Sequence, residues 1–164
     1  MSTPTPVETR VTALARRWRL ELDLGTDTTP DWQTVMGVTE FQPSAEPNLE
    51  DSSDYDSGGW AGNTKTGQSW ELSVTINRKI NSTQKAYHPT HEALRRAAFE
   101  FDEASYVHVR YYDRNGLPEA YEGRALVEWA PSGGETTDLD QVEITLTGDG
   151  PLLLIDNPLA EEEG

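Results

Sequence analysis

Apolar side chains stand at every second position from residue 70 to 76, as Trp70, Leu72, Val74 and Ile76, with Glu71, Ser73, Thr75 and Asn77 between them. A period of two sends alternate side chains to opposite faces, so this segment is predicted to be a half-buried strand with its apolar residues inward. Trp18, Leu20, Leu22 and Leu24 alternate in the same way with Arg19, Glu21 and Asp23, and Gly25 stops the run. Residues 32–41 read as a second strand or bent pair, with Gly37 inside it predicting a bulge, and Pro43 and Pro47 are expected to end the pairing. Residues 106–112 and 120–129 form a predicted hairpin about the turn Asp113, Arg114, Asn115, Gly116. Val142, Ile144 and Leu146 against Glu143, Thr145 and Thr147 mark a further strand, and residues 152–155 a short buried one. Ala93, Leu94, Ala97, Ala98 and Phe101 recur at helical spacing behind Pro89, Thr90 and Glu92, predicting one helix over about residues 90–101. Six to eight strands and one helix define a mainly β chain, a sandwich or barrel with the helix packed against one side.

The same pattern sets the domain limits. Residues 1–15 read as an N-terminal arm, residues 16–156 as a single β domain, and residues 157–164 as an acidic C-terminal tail. Within the domain, residues 43–68 read as one long loop, acidic and glycine-bearing, with Lys65, Thr66 and Gly67 as a turn before the next strand. Loops longer than about 12 to 15 residues are usually functional or disordered. Tyr55 and Trp60 among Asp51, Asp54, Asp56, Gly58 and Gly59 point to a loop that docks on something, either its own domain or a neighbour. Four of the ten arginines, Arg10, Arg16, Arg17 and Arg19, gather near the start, where they can pair with acidic surface of the same chain or of another.

Charge narrows the function. With 29 acidic and 13 basic residues in 164, the net charge is −16, which excludes a general nucleic-acid binder because phosphate binding needs basic side chains. No cysteine is present, so neither a disulfide framework nor a thiolate metal site is available, and a cytoplasmic compartment is expected. No stretch approaches the roughly 18 apolar residues of a membrane span, and residues 1–6 lack the basic-then-apolar order of a secretory signal.

Candidate chemistry is sparse. Asp51, Asp54 and Asp56 invite a calcium reading, but a calcium loop wants glycine at position six and an acid at position twelve. Counting from Asp51 gives Asp56 and Gly62, and counting from Asp54 gives Gly59 and Lys65, so a solvated or interface loop fits better than a metal site. His88 and His91 flank Pro89 beside Glu92, a pattern that fits capping and surface solvation better than zinc. No nucleophile elbow, phosphate loop or dinucleotide fingerprint occurs, so no catalytic residue, metal or cofactor is assigned and an enzyme is disfavoured. Trp18, Trp32, Trp70 and Trp129 lie on or beside strands and read as core, which leaves Trp60 as the contact tryptophan.

Five segments in order carry a family resemblance: WRLELDLG at 18–25, Trp32 leading to GVTEF at 37–41, DYDSGGW at 54–60, KTGQSW at 65–70 and RYYDRNG at 110–116. Together they resemble the major tail tube proteins of long-tailed, siphovirus-type phages infecting actinobacteria, over roughly residues 16–154. The resemblance implies a β-sandwich or barrel subunit with a flanking helix, assembled in the host cytoplasm into hexameric rings that stack into a hollow tube for the genome. It further implies a virion location, tape measure and tail-end proteins as partners, and transient non-specific passage of DNA, with no membrane partner. The long loop and terminal arms would then contact neighbouring subunits or rings through Arg16, Arg17, Asp51, Asp54, Tyr55, Asp56 and Trp60.

The polar strand faces agree with a wet channel wall. Glu71, Ser73, Thr75 and Asn77, with Glu143, Thr145 and Thr147, carry no base that would hold DNA by counterion release, although an ordinary solvent-facing sheet alternates in the same way. Two other classes stay open at this level, a secretion-system tube-like ring protein and a monomeric calcium- or carbohydrate-binding β module.

Overall fold

A computed structural model describes residues 10–26 and 28–160, so the expected acidic run at 161–164 and most of the N-terminal arm lie outside the described residues. The strands are β1 (Trp18–Asp23), β2 (Trp32–Thr34), β3 (Val38–Asp51), β4 (Asn63–Asn77), β5 (Ile80–Asn81) and β6 (Ala86–Tyr87). Helix α1 (Pro89–Phe99) follows, then β7 (Tyr106–Asp113), β8 (Ala120–Pro131), β9 (Gln141–Gly148) and β10 (Leu153–Leu154). The main sheet runs β2-β1-β7-β8-β9-β4-β3 with every pair antiparallel; β10 adds to β8, and β5 with β6 forms a separate two-stranded ribbon.

The two ends of that row, β2 and β3, are consecutive in the chain. Residues 35–37 link them and can span at most about 14 Å, so the sheet must curl until its ends approach. Val35 N–H donates to the Leu20 carbonyl and Asn77 N–H to the Gly37 carbonyl, which ties the link to both ends of the curl. Inside, the rings of Trp18 on β1, Phe41 on β3 and Tyr111 on β7 meet with centroids 5.3 to 6.2 Å apart.

The core follows the period-two pattern. Trp70, Leu72, Val74 and Ile76 are all buried, with Leu20, Leu22, Val109, Ile144 and Leu146 around them. Gly123 and Gly148 flank the Trp70 ring, where an added Cβ would lie 2.6 and 2.3 Å from it, and the Trp70 indole N–H donates to the Gly150 carbonyl at 3.0 Å. Helix α1 covers β8 and β7, burying Leu94 and Ala97. His88 caps it, its Nδ1 accepting from Thr90 N–H, with proline in the first turn.

Several expectations change. Pro43 and Pro47 do not end pairing, because β3 is the last strand of the sheet and an edge strand tolerates residues without an N–H. Residues 43–68, expected as one loop, are mostly a β3–β4 hairpin, with the supposed turn at 65–67 inside β4; among them only 52–62 lie outside the two strands. Gly37 lies in the link at φ +78°, and the register shift falls instead between Val38 and Glu40. The helix stops at Phe99, since Glu100 is extended and Asp102 has φ +57°, so Phe101 turns out to solvent. β10 is exposed rather than buried, its leucines uncovered within the described residues.

Candidate functional site: an acidic sheet face and a projecting hairpin

Residues directly opposite in an antiparallel ladder share a face, so the register assembles the outer surface of the sheet. Glu71 opposes Thr147, Ser73 opposes Thr145, Thr75 opposes Glu143, and Asn77 opposes Gln141, whose Nε2 donates to Asn77 Oδ1 at 2.8 Å. The seven polar residues picked out by alternation therefore form one continuous patch. The flanking strands widen it: Glu40, Gln42 and Ser44 of β3 oppose Thr75, Ser73 and Glu71, while Glu128 of β8 opposes Thr145. Sequence reading missed these four because the prolines hid β3 and the period of β8 drew attention only to its apolar side. The patch carries Glu40, Glu71, Glu128 and Glu143 and no lysine or arginine at residues 40–44, 71–77, 126–130 or 141–147.

The distal part of the β3–β4 hairpin extends past the last β9 partner, Thr147. Residues 46–51 and 63–69 are all exposed, and at about 3.4 Å per residue the arm projects roughly 20 Å before its tip. An isolated two-stranded ribbon of this kind is marginal in water. At the tip, Asp54 caps a single turn, Tyr55–Ser57: its Oδ1 accepts Asp56 N–H at 2.9 Å, and Ser57 Oγ accepts Asp54 N–H at 3.0 Å. The Ser53 hydroxyl first, and then Ser53 N–H, which donates to Asp51 Oδ1 at 2.8 Å, hold the Asp51 carboxyl below the usual range. Gly58 and Gly59 supply the left-handed backbone at φ +63° and +85° that returns the chain to β4. Asp51 and Asp54 thus shape the turn, whereas Asp56, Tyr55 and Trp60 face outward, Trp60 81% exposed.

Arg16 is exposed, but its neighbour Arg17 is engaged within its own chain. Arg17 Nη1 donates to the buried Asp113 carboxylate at 3.0 Å and Nη2 to Glu119 at 3.2 Å, with about a fifth of the side chain still exposed. Asp113 in turn accepts Asn115 N–H, and its carbonyl accepts from the buried Asn157 amide, which secures the chain beyond β10.

His91 is fully buried rather than solvated, and it clamps α1 to two loops. Nε2 lies 2.6 Å from the Met36 carbonyl and Nδ1 accepts Lys79 N–H at 3.4 Å, which together require the neutral ring with its proton on Nε2. Burial lowers its pKa against the opposing pull of the Met36 carbonyl, and Arg78 and Lys79 add to the lowering. The folded ring therefore stays neutral at a pH where the unfolded ring takes up a proton. Its contribution is complete above about pH 6.5 and declines as pH falls below that value, by at most about 1.4 kcal/mol per pH unit. Denaturant unfolding between pH 8 and 5 should show this slope in the native protein and a flatter one in His91→Gln.

A curled antiparallel sheet carries one acidic outer face and an aromatic-tipped arm that nothing among the described residues covers, an exposed apolar feature of the kind that marks interaction surfaces. The profile of the phage tail tube protein family matches residues 19–153, and the chain belongs to that family. It is a structural tail tube subunit. Among solved structures, a chain from the tail of an empty gene transfer agent particle, computed with C6 symmetry, superposes with TM-score 0.67 at 15% identity over 88% of this chain and 99% of that one. A chain of the native gene transfer agent virion gives 0.63 at 16% identity, covering 86% and 97%. A chain of the anti-feeding prophage tube-terminating cap gives 0.59 at 10%, covering 92% and 97%. No curated protein matches.

Proposed function

We propose that this chain is the major tail tube subunit of a long-tailed, siphovirus-type phage infecting actinobacteria, and that it forms stacked hexameric rings whose bore conducts DNA during ejection. The observation that carries this reading is the continuous face of Glu40, Glu71, Glu128 and Glu143 without a base, on a chain of the tail tube family. Glu71, Ser73, Thr75, Asn77, Glu143, Thr145 and Thr147 line the bore, and like charge keeps DNA from adhering to it. Asp51, Asp54, Tyr55, Asp56 and Trp60 of the arm, with Arg16 and Arg17 at the domain start, make contacts between subunits or rings. In the domain layout, residues 1–15 form an arm, 16–156 the β domain and 157–164 a tail. The role is structural and not catalytic. Tape measure and tail-end proteins are the other partners, and a cysteine-free chain needs no oxidising compartment for assembly in the host cytoplasm.

Phage carrying lysine at 71, 75, 143 and 147 tests the bore. These side chains face out of the fold, so rings should form, while the added phosphate contacts should slow ejection at low salt by about tenfold or more and less as salt rises. Normal ejection at low salt from tubes shown to carry the lysines would place this face away from the DNA. A secretion-type tube would share the fold and the rings without this dependence.

A further inference from the structure

A sheet that does not close leaves a free edge at each end of its strand order, and an exposed edge is a template for another strand. Here the two edges are β2 and β3. β2 is only three residues long, which protects it by brevity. β3 runs for fourteen, and every residue from Gln42 to Asp51 is exposed. The opposite side of the projecting hairpin, residues 63–69 of β4, carries no apolar side chain, whereas β3 brings Phe41, Ala45 and Leu49. The long edge is therefore the one at risk.

The direction of each backbone group along β3 follows from its partner. Asn77 N–H donates to the Gly37 carbonyl just before β3, and Arg78 N–H to the Asp140 carbonyl just before β9. Backbone groups alternate in direction along a strand, so residues 71, 73 and 75 of β4 bond to β3, while residues 72 and 74 turn toward β9. The register is unbroken over residues 40–48, where Gln42 opposes Ser73, Ser44 opposes Glu71 and Glu46 opposes Ser69. Gln42, Ser44 and Glu46 thus bond to β4, and the residues between and beyond them, Pro43, Ala45 and Pro47, present their backbone to the free edge. Two of these three have no N–H. Past them the register slips between Asn48 and Leu49, which bends the strand.

We propose that Pro43 and Pro47 close this edge to a further strand, so that free subunits do not pair β3 to β3. An incoming antiparallel strand would exchange two hydrogen bonds with each of residues 43, 45 and 47. It finds both only at Ala45, and opposite each proline its carbonyl meets a ring instead of a donor. The hairpin's own ladder loses nothing, because both proline nitrogens face away from β4. What remains along the edge is a row of carbonyls, which accept side-chain donors but do not hold a strand. This property belongs to the free subunit and does not depend on the tube.

Pro43→Thr with Pro47→Thr, made in the full chain, restores both donors. Dilute subunits carrying the pair should melt as the native protein does, yet form thioflavin-binding aggregates about tenfold faster or more. Adding Ala45→Pro, at the third edge-facing position, should return the rate to within about threefold of native, whereas Ser44→Pro, whose N–H serves the hairpin, should not. A pair that stays as soluble as the native protein would overturn the proposal. So would aggregation that Ala45→Pro does not reverse, since the prolines would then act through something other than their missing donors. Hydrogen exchange in the native monomer reads the directions themselves: the Ala45 amide should exchange freely and those of Gln42 and Ser44 slowly, and a protected Ala45 amide would overturn the assignment.

Discussion

Leu72→Ala is expected to lower the stability of the unassembled subunit by about 2 to 5 kcal/mol. Leu72 is completely buried between Pro43 of β3 and Leu146 of β9 in the register, at the middle of the strand that the core surrounds. Truncation there removes apolar contact on every side and leaves a cavity that the paired strands cannot easily collapse. The same core resists enlargement. Gly148→Val would drive a side chain into the Trp70 indole, which cannot swing aside because its N–H is bonded to Gly150 and Gly123 confines its other edge. A loss of about 1 to 3 kcal/mol or more follows from that overpacking. Denaturant unfolding of dilute subunits measures both, and an unchanged midpoint for Leu72→Ala would contradict the inward face of β4.

Deleting residues 52–62 and closing the hairpin with Asn-Gly is expected to leave that stability nearly unchanged and to abolish tube formation. The tip bonds mainly to itself, Ser52 N–H to the Gly62 carbonyl, Gly62 N–H to Ser53 Oγ and Trp60 N–H to the Ser57 carbonyl, and Ser53 N–H donates to Asp51 Oδ1 of β3. None of its residues belongs to the core. Its Tyr55 and Trp60 are exposed, and the proposed assembly would cover that apolar area. Trp60→Ala should act in the same direction more weakly. Hydrogen exchange offers a direct readout, with tip amides exchanging freely in monomers and protected in tubes; strong protection in the monomer would assign the tip to the subunit's own fold.

The elements that sequence made legible are those with one buried face. β4 and β9 bury alternate residues and α1 buries Leu94 and Ala97, so their periods survive in the order of residues, while β1 and β7 keep the alternation of Leu20 with Leu22 and of Val109 with Tyr111 and also bury Glu21, Tyr112 and Asp113. The distal hairpin has no buried face. Ser44, Glu46, Asn48 and Glu50 on β3 and Thr64, Thr66 and Gln68 on β4 are exposed together with their neighbours, and paired backbone leaves no mark on such a pattern. Pro43 and Pro47 deepened the error, since proline argues against a central strand and says nothing against an edge. Exposed apolar residues mislead in the opposite direction: Leu153, Leu154 and Phe101 read as core and are exposed. Of the acidic face, β4 and β9 were visible by alternation, while Glu40 and Glu128 joined it only through register.

Cryo-electron microscopy of the purified protein assembled at high concentration tests the central claim most directly. The account predicts hollow tubes of stacked sixfold rings, with Glu71, Thr75 and Glu143 on the bore and each β3–β4 hairpin resting on a subunit of the next ring. Persistent monomers under all assembly conditions, or tubes with this sheet face turned outward, would contradict it.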